Sequence, residues 1–275
     1  MKAISIIGAG YFGRAMAAHL RRMQYDVHYG VHEKSEIVIV ATPSYAVVPA
    51  LLELKNKIGN RKVVICSKGF ADEGILMSEA LQEHFPNNLY FLYGPTLADG
   101  IRRGDLSAMV LGGNGPKKLV IEALQSHTLR IETTSDVIGI QVGAALKNVV
   151  TIFVGVAKGA GYSGNTQGYV FTRGLQEIQK IGVALGAKSE TFTGLSCVGD
   201  LTLYSRNRKL GVKLGKGRKL DEIIAETGYL PEGITALKNA KFIAKRLHIK
   251  VPFIDDLYSL VFENKSISEA IEDVK

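Results

Sequence analysis

The sequence predicts an α/β fold: a doubly wound, mostly parallel sheet truncated after its second strand, then an all-α region. Three observations predict it. Short β-type runs alternate with helical patterns through the first half, the rhythm of βαβ units. From residue 136 onward only helical periodicity with glycine punctuation remains. Between the second and third β-type runs there is too little chain for an ordinary helical crossover. The expected domains are therefore 1–134, α/β, and 135–275, all-helical.

The elements justify this in order. Residues 3–7 are a compact apolar run ending at Gly8, and residues 11–23 read as a helix. Residues 27–29 make a short strand. Residues 37–41 are a continuous apolar run, suited to a strand buried on both faces. About six or seven residues separate these two runs, a reach of roughly 20–25 Å when extended. They must cross two inter-strand gaps, about 10 Å, and return a strand length, about 17 Å. This fits with little slack and predicts an irregular edge on this side and a sheet of five or six strands. Residues 45–54 read as helix after Pro43. Residues 63–66, 89–92, 107–111 and 129–132 read as further strands, with a helix over 117–126. Beyond them, helices are expected over 137–157, 168–185, 205–215, 219–226, 234–247, 253–262 and 266–271.

Composition bounds the function. At 275 residues, 46% hydrophobic and 22% charged, the chain can bury a substantial core. Cys66 and Cys197 match no CxxC spacing, so neither a disulfide framework nor a zinc site is expected, and a reducing cytoplasm fits. No secretory signal is read, and Lys147 and Asn148 interrupt the longest apolar stretch, 142–157, which argues for a buried helix and not a membrane span. The net charge of +8 is scattered, with no nucleic-acid motif, so a small anionic partner is the economical reading.

Four motifs carry chemistry. Gly8-Ala9-Gly10-Tyr11-Phe12-Gly13 fits GxGxxG between a strand and a helix. Gly8 permits the tight turn, Gly10 lets backbone approach a pyrophosphate, and Gly13 allows close helix–strand packing, as in a Rossmann-like fold. The helix N-terminus offers free N–H donors to the anion. An acidic residue usually meets the ribose about 20 residues on; with the crossover curtailed, His32 and Glu33 are the nearest candidates. Second, Ser67-Lys68-Gly69 and Gly94-Pro95-Thr96 both follow strands, on the edge where such sheets bind ligands. Third, Lys147 lies in a helix apolar on nearly all sides. Desolvation favours its neutral form, which suits proton exchange, and Gly143 and Thr151 one turn away leave room for a ligand. Fourth, Asp200 in a loop suits orientation of a lysine ammonium, and Arg206 and Asn207 suit a phosphate.

Together with Thr172-Arg173-Gly174-Leu175, residues 191–195 and Pro231-Glu232-Gly233, these segments resemble the bacterial type of the NAD(P)-dependent sn-glycerol-3-phosphate dehydrogenase family, in order and over nearly the whole chain. The resemblance implies a cytoplasmic oxidoreductase using NAD or NADP. It implies reversible hydride transfer to C2 of dihydroxyacetone phosphate, giving sn-glycerol 3-phosphate for glycerophospholipid biosynthesis, without a metal. It implies Lys147, Lys68 and Asp200 as catalytic residues. Substrate would be held by Lys68, Gly94, Thr96, Lys147, Asp200, Ser205, Arg206 and Asn207. Cofactor would meet Gly8, Gly10, Tyr11, Phe12, Gly13, Lys68, Ala98, Arg206, Leu230 and Glu232. Partners are then limited to this phosphorylated small molecule, with no nucleic acid and no membrane span; of assemblies, a homodimer is considered. Two departures stand out: the family's helix and strand after Tyr29, with an arginine there, are missing, and the stretch 200–206 is a few residues short. The alternatives are a related two-domain hydroxyacid or phosphate dehydrogenase, and a non-enzymatic binding protein that has lost cofactor affinity.

Overall fold

A computed structural model describes residues 2–274. Its first half lays down β1 (Ala3–Ile7), α1 (Tyr11–Arg22), β2 (Asp26–Tyr29), β3 (Ser35–Val40), α2 (Ser44–Glu53), α3 (Lys55–Ile58) and β4 (Lys62–Ile65). It continues with α4 (Met77–Leu81), β5 (Leu89–Tyr93), α5 (Ala98–Arg103), β6 (Ser107–Gly113), α6 (Lys118–Leu124) and β7 (Leu129–Thr133). The strands form one sheet in the order β2-β1-β3-β4-β5-β6-β7, parallel except where β5 meets β6. The doubly wound, mostly parallel architecture is as predicted, but the sheet has seven strands, not five or six. The missing unit removes a strand beyond β2, while β6 and β7 extend the opposite edge.

Apolar residues alternate between the two faces, as the period-two geometry of strands requires. Ile4, Ile6, Ile37, Ile39, Val64 and Leu92 pack under α1, α5 and α6. Ile7, Val38, Val40, Val63, Ile65 and Phe91 pack under α2 and α4.

The short crossover is visible atom by atom. Residues 30–34 carry the chain from the end of β2 back across β1 to the start of β3. Gly30 reverses direction with φ +89° and bridges Ile6. Ser5, wholly buried in β1, accepts the His32 N–H at 2.9 Å and donates to Ser35 Oγ at 2.9 Å, so a side chain tethers the segment that a helix would otherwise cover. The His32 ring stacks on His28 at 3.7 Å, and Val31 packs into the α2 face of the core.

The second half is helical: α7 (Val137–Gly159), α8 (Gly164–Ala184), α9 (Arg206–Gly215), α10 (Leu220–Thr227), α11 (Glu232–Arg246), α12 (Pro252–Phe262) and α13 (Ile267–Glu272). α7 is long and apolar enough to cross a membrane, yet 89% of its most apolar window is buried inside the protein; it is a core helix, as its interrupting Lys147 and Asn148 predict. Asp136 caps it, accepting N–H bonds from Gly139 and Lys188 and the Thr191 hydroxyl. Its Ile140 and Ala144 pack against the sheet, while its later residues centre the helical core. α9 crosses it at glycines: a Cβ on Gly211 would lie 2.0 Å from the Ile152 carbonyl oxygen, and one on Gly155 2.6 Å from that of Arg208. This close backbone approach brings the first turn of α9 toward the buried middle of α7.

Candidate active site

The site lies beyond the carboxyl ends of β1, β4 and β5, against α7, where a doubly wound sheet changes winding direction. In the glycine-rich turn, Gly8 has φ +107° and its absent Cβ would sit 2.6 Å from the Ala41 carbonyl oxygen. A Cβ on Gly13 would lie 1.9 Å from the Gly8 carbonyl oxygen. Gly10 is different: a Cβ there meets nothing within 4 Å. That space opens onto the start of α1, whose first turn has neither a capping side chain nor an acidic residue. Backbone N–H donors beside a cleared backbone form a cradle that fits the pyrophosphate of a dinucleotide. Phe12 packs partly into the core below, while Tyr11 is 65% exposed.

Lys68, just after β4, donates to Asp200 Oδ2 at 2.5 Å and to the Gly94 carbonyl at 3.1 Å. Lys147, on α7, lies 2.9 Å from the same Oδ2. Two ammonium groups thus share one carboxylate oxygen, with Asp200 and Lys147 almost wholly buried. Burial lowers the pKa of Lys147 from its ordinary value; Asp200 opposes this and the Lys68 charge adds to it.

Asp200 does not sit in a loop as expected. It closes a single π-helical turn, Leu195–Gly199, in helical conformation. Nor does Gly143 clear space for a ligand. Its Cβ position lies 3.0 Å from Cys197 Cβ, so the glycine seats the turn that delivers Asp200 to Lys147. The Thr151 hydroxyl is occupied too, donating to the Lys147 carbonyl at 2.8 Å. Cys66 and Cys197 are buried and their thiols are pushed up to about 12, so both stay neutral. Among the described residues no cluster of His, Cys, Asp or Glu could hold a metal ion.

The remaining residues form the rim. Gly94 and buried Thr96 make the turn after β5; a Cβ on Gly94 would sit 2.4 Å from the Ala108 carbonyl oxygen. Ala98 opens α5. Ser205 caps α9, accepting the Arg208 N–H at 3.4 Å. Asn207 is buried, and its Oδ1 accepts the Gly233 N–H at 3.1 Å, tying α9 to α11. Arg206 is exposed, with its guanidinium over the Tyr11 ring. Leu230 is exposed on the α10–α11 loop. Glu232 begins α11; burial of its carboxyl group raises the pKa to about 7, against the pull of Lys68, the Ser44 N–H and Lys147. His32 and Glu33 are committed to the crossover. His32 is stacked on His28, and the Glu33 carbonyl accepts an Arg61 N–H at 2.8 Å. Sequence reasoning missed Tyr229, whose ring lies 5.2 Å from the Arg206 guanidinium; an isolated loop tyrosine gives no periodic signal.

A cleared glycine turn at the sheet's switch point, facing a buried lysine–carboxylate centre on an all-helical half, is the arrangement of a dinucleotide-dependent dehydrogenase. Comparison with known proteins narrows that class. The family described as NAD-dependent glycerol-3-phosphate dehydrogenase matches with its C-terminal part over residues 136–272 and its N-terminal part over 29–118. A protein named glycerol-3-phosphate dehydrogenase [NAD(P)+] from Thermoanaerobacter sp. (strain X514) is 32% identical, over 98% of this chain and 95% of its own length. The alignment, 313 positions, is longer than the chain itself, so it carries gaps opposite segments this chain lacks. The chain belongs to the NAD-dependent glycerol-3-phosphate dehydrogenase family. The crystal structure of glycerol-3-phosphate dehydrogenase from Coxiella burnetii shares the fold with a TM-score of 0.93 at 24% identity, covering 99% of this chain and 98% of that one. The Saccharomyces cerevisiae enzyme shares it at 0.85 and 17%, covering 99% of each.

Proposed function

We propose that this protein catalyses the reversible NAD(P)-dependent reduction of dihydroxyacetone phosphate at C2 to sn-glycerol 3-phosphate. The observation that carries this reading is the convergence of Lys68 and Lys147 on one oxygen of buried Asp200, at 2.5 and 2.9 Å, beside the glycine-rich turn. When bound, the nicotinamide supplies the hydride to C2 and accepts it in reverse. Lys147, charged, delivers a proton to the carbonyl oxygen as negative charge develops there; neutral, it takes that proton back from the alcohol. Burial lowers its pKa, which eases release of that proton. Asp200 holds Lys147 in place and offsets its buried charge. Lys68, anchored by Asp200 and the Gly94 carbonyl, adds positive charge where the oxyanion develops.

Arg206 and Asn207 favour the substrate phosphate, with Ser205, Gly94 and Thr96 lining the same rim. Gly8, Gly10, Tyr11, Phe12 and Gly13 serve the pyrophosphate. Ala98, Leu230 and Glu232 serve the rest of the dinucleotide, together with Lys68 and Arg206. On this reading the chain divides into a dinucleotide-binding domain, 1–134, and a catalytic helical domain, 135–275. It works in the cytoplasm as a homodimer and supplies glycerol 3-phosphate for glycerophospholipid synthesis.

The test is steady-state oxidation of NADH and of NADPH with dihydroxyacetone phosphate, set beside a panel of keto acids and other phosphorylated ketones. Turnover that prefers the triose phosphate is the expected result. Preference for another ketone moves the chain to a related reaction, and no turnover together with no dinucleotide binding makes it a binding protein.

A further inference from the structure

The guanidinium of Arg206 lies 4.5 Å from the centre of the Tyr11 ring and 5.2 Å from that of Tyr229. These residues come from three separate segments. Tyr11 is the first helical residue of the glycine-rich turn, Arg206 opens α9, and Tyr229 sits beside Leu230 in the α10–α11 loop that leads into Glu232. Among the described residues the Arg206 side chain has no carboxylate partner and no hydrogen bond; the two rings alone hold its guanidinium. An arginine held by ring faces keeps its five N–H donors unspent, in a plane that suits a phosphate. Arg14 lies on the same Tyr11 ring at 5.4 Å while its side chain donates to the Ala9 carbonyl, which steadies Tyr11.

Resting on the function proposed above, we infer that Tyr229 is a positioning residue for Arg206. With Tyr11 it forms an aromatic clamp that holds the guanidinium across the mouth of the site, joining the pyrophosphate turn to the phosphate-binding arm of the helical half. The clamp acts on binding, since no part of it reaches Lys147 or Asp200. The ring face, and not the hydroxyl, does the work.

The experiment uses the full chain. Tyr229→Leu is expected to lower kcat/KM for dihydroxyacetone phosphate about two- to fivefold, the range of one exposed cation–π contact, chiefly through KM. Tyr229→Phe is expected to restore the parent value. In an Arg206→Ala background, Tyr229→Leu is expected to add nothing. An unchanged KM in Tyr229→Leu, a defect that Phe does not restore, or the same increment without Arg206 would each overturn the inference. If the parent chain turns over no triose phosphate, the proposed function fails by itself. The clamp is then read by calorimetric titration with inorganic pyrophosphate: weaker binding by Tyr229→Leu than by the parent and Tyr229→Phe supports it, and equal or absent binding by all three overturns it.

Discussion

Replacing Lys147 with methionine separates chemistry from folding. Methionine keeps most of the aliphatic stem and removes the ammonium group. Asp200 is not left alone, because Lys68 remains on the same Oδ2 at 2.5 Å. A buried set of two cations and one anion becomes a neutral pair. Removing one partner of a buried ion pair costs about 3–5 kcal/mol when it strands the other charge; Asp200 keeps Lys68 here, so that penalty is avoided and the melting temperature should hold. Loss of a positioned general acid costs about 10²–10⁴ in rate, or roughly 3–5 kcal/mol in the barrier. The pH dependence gives a second signature. Reduction needs the charged lysine, so the parent's reductive rate falls as pH rises through the lowered pKa of Lys147, and this limb disappears in the variant. The assay is nicotinamide absorbance with dihydroxyacetone phosphate across pH, beside thermal unfolding. Turnover within tenfold of the parent, or a rate loss matched by a fall in melting temperature, would refute the role.

Other outcomes follow from the same geometry. Asp200→Asn leaves buried Lys147 and half-buried Lys68 without their shared counter-charge; it should destabilise the fold by about 3–5 kcal/mol in chemical denaturation and abolish turnover. Gly10→Ala adds a methyl where nothing lies within 4 Å, so stability should change by less than about 0.5 kcal/mol while NADH titration shows weaker binding. Gly13→Ala places its methyl 1.9 Å from the Gly8 carbonyl oxygen and should cost about 1–3 kcal/mol of stability. Glu177, which accepts the Phe253 and Ile254 N–H groups at the start of α12, is pushed up to about 7 by burial. The folded state holds its proton more tightly than the unfolded chain does, so this term favours folding below the ordinary carboxylate pKa and is lost as pH rises to about 7. Glu177→Gln should flatten that slope in melting curves recorded between pH 4.5 and 8.

The fold was legible wherever local periodicity decides the outcome. The buried runs of β1, β3 and β4, the glycine-rich turn, and α7 with Lys147 in its apolar middle all carry their signal in adjacent residues. The positions of Lys68 and Lys147 in the chain were legible for the same reason. Their meeting point was not. It depends on Gly143 seating the Cys197 turn and on Gly155 and Gly211 letting α9 approach α7, and these matter only once the helices face each other. The π-helical turn before Asp200 escaped because its form is imposed by tertiary packing and not by propensity. All seven strands were legible as separate runs; the expected total of five or six fell short because the truncation after Tyr29 acts on one side of the sheet alone.

The shortened crossover also bears on how affinity is distributed. An ordinary dinucleotide fold holds the adenosine ribose at the end of its second strand with a carboxylate. Here that end is Tyr29 and Gly30, and the nearest polar rings, His28 and His32, are spent on each other. The glycine-rich turn keeps the clearances that the proposed pyrophosphate site needs, and Arg206 lies against Tyr11 at its head and against Tyr229. Affinity that the adenosine side does not supply must then come from the pyrophosphate and nicotinamide ends. A dinucleotide and its nicotinamide mononucleotide half should therefore differ less in KM here than in a relative with the complete crossover. A gap as wide as that relative's would show that adenosine is gripped by residues outside β2 and its crossover.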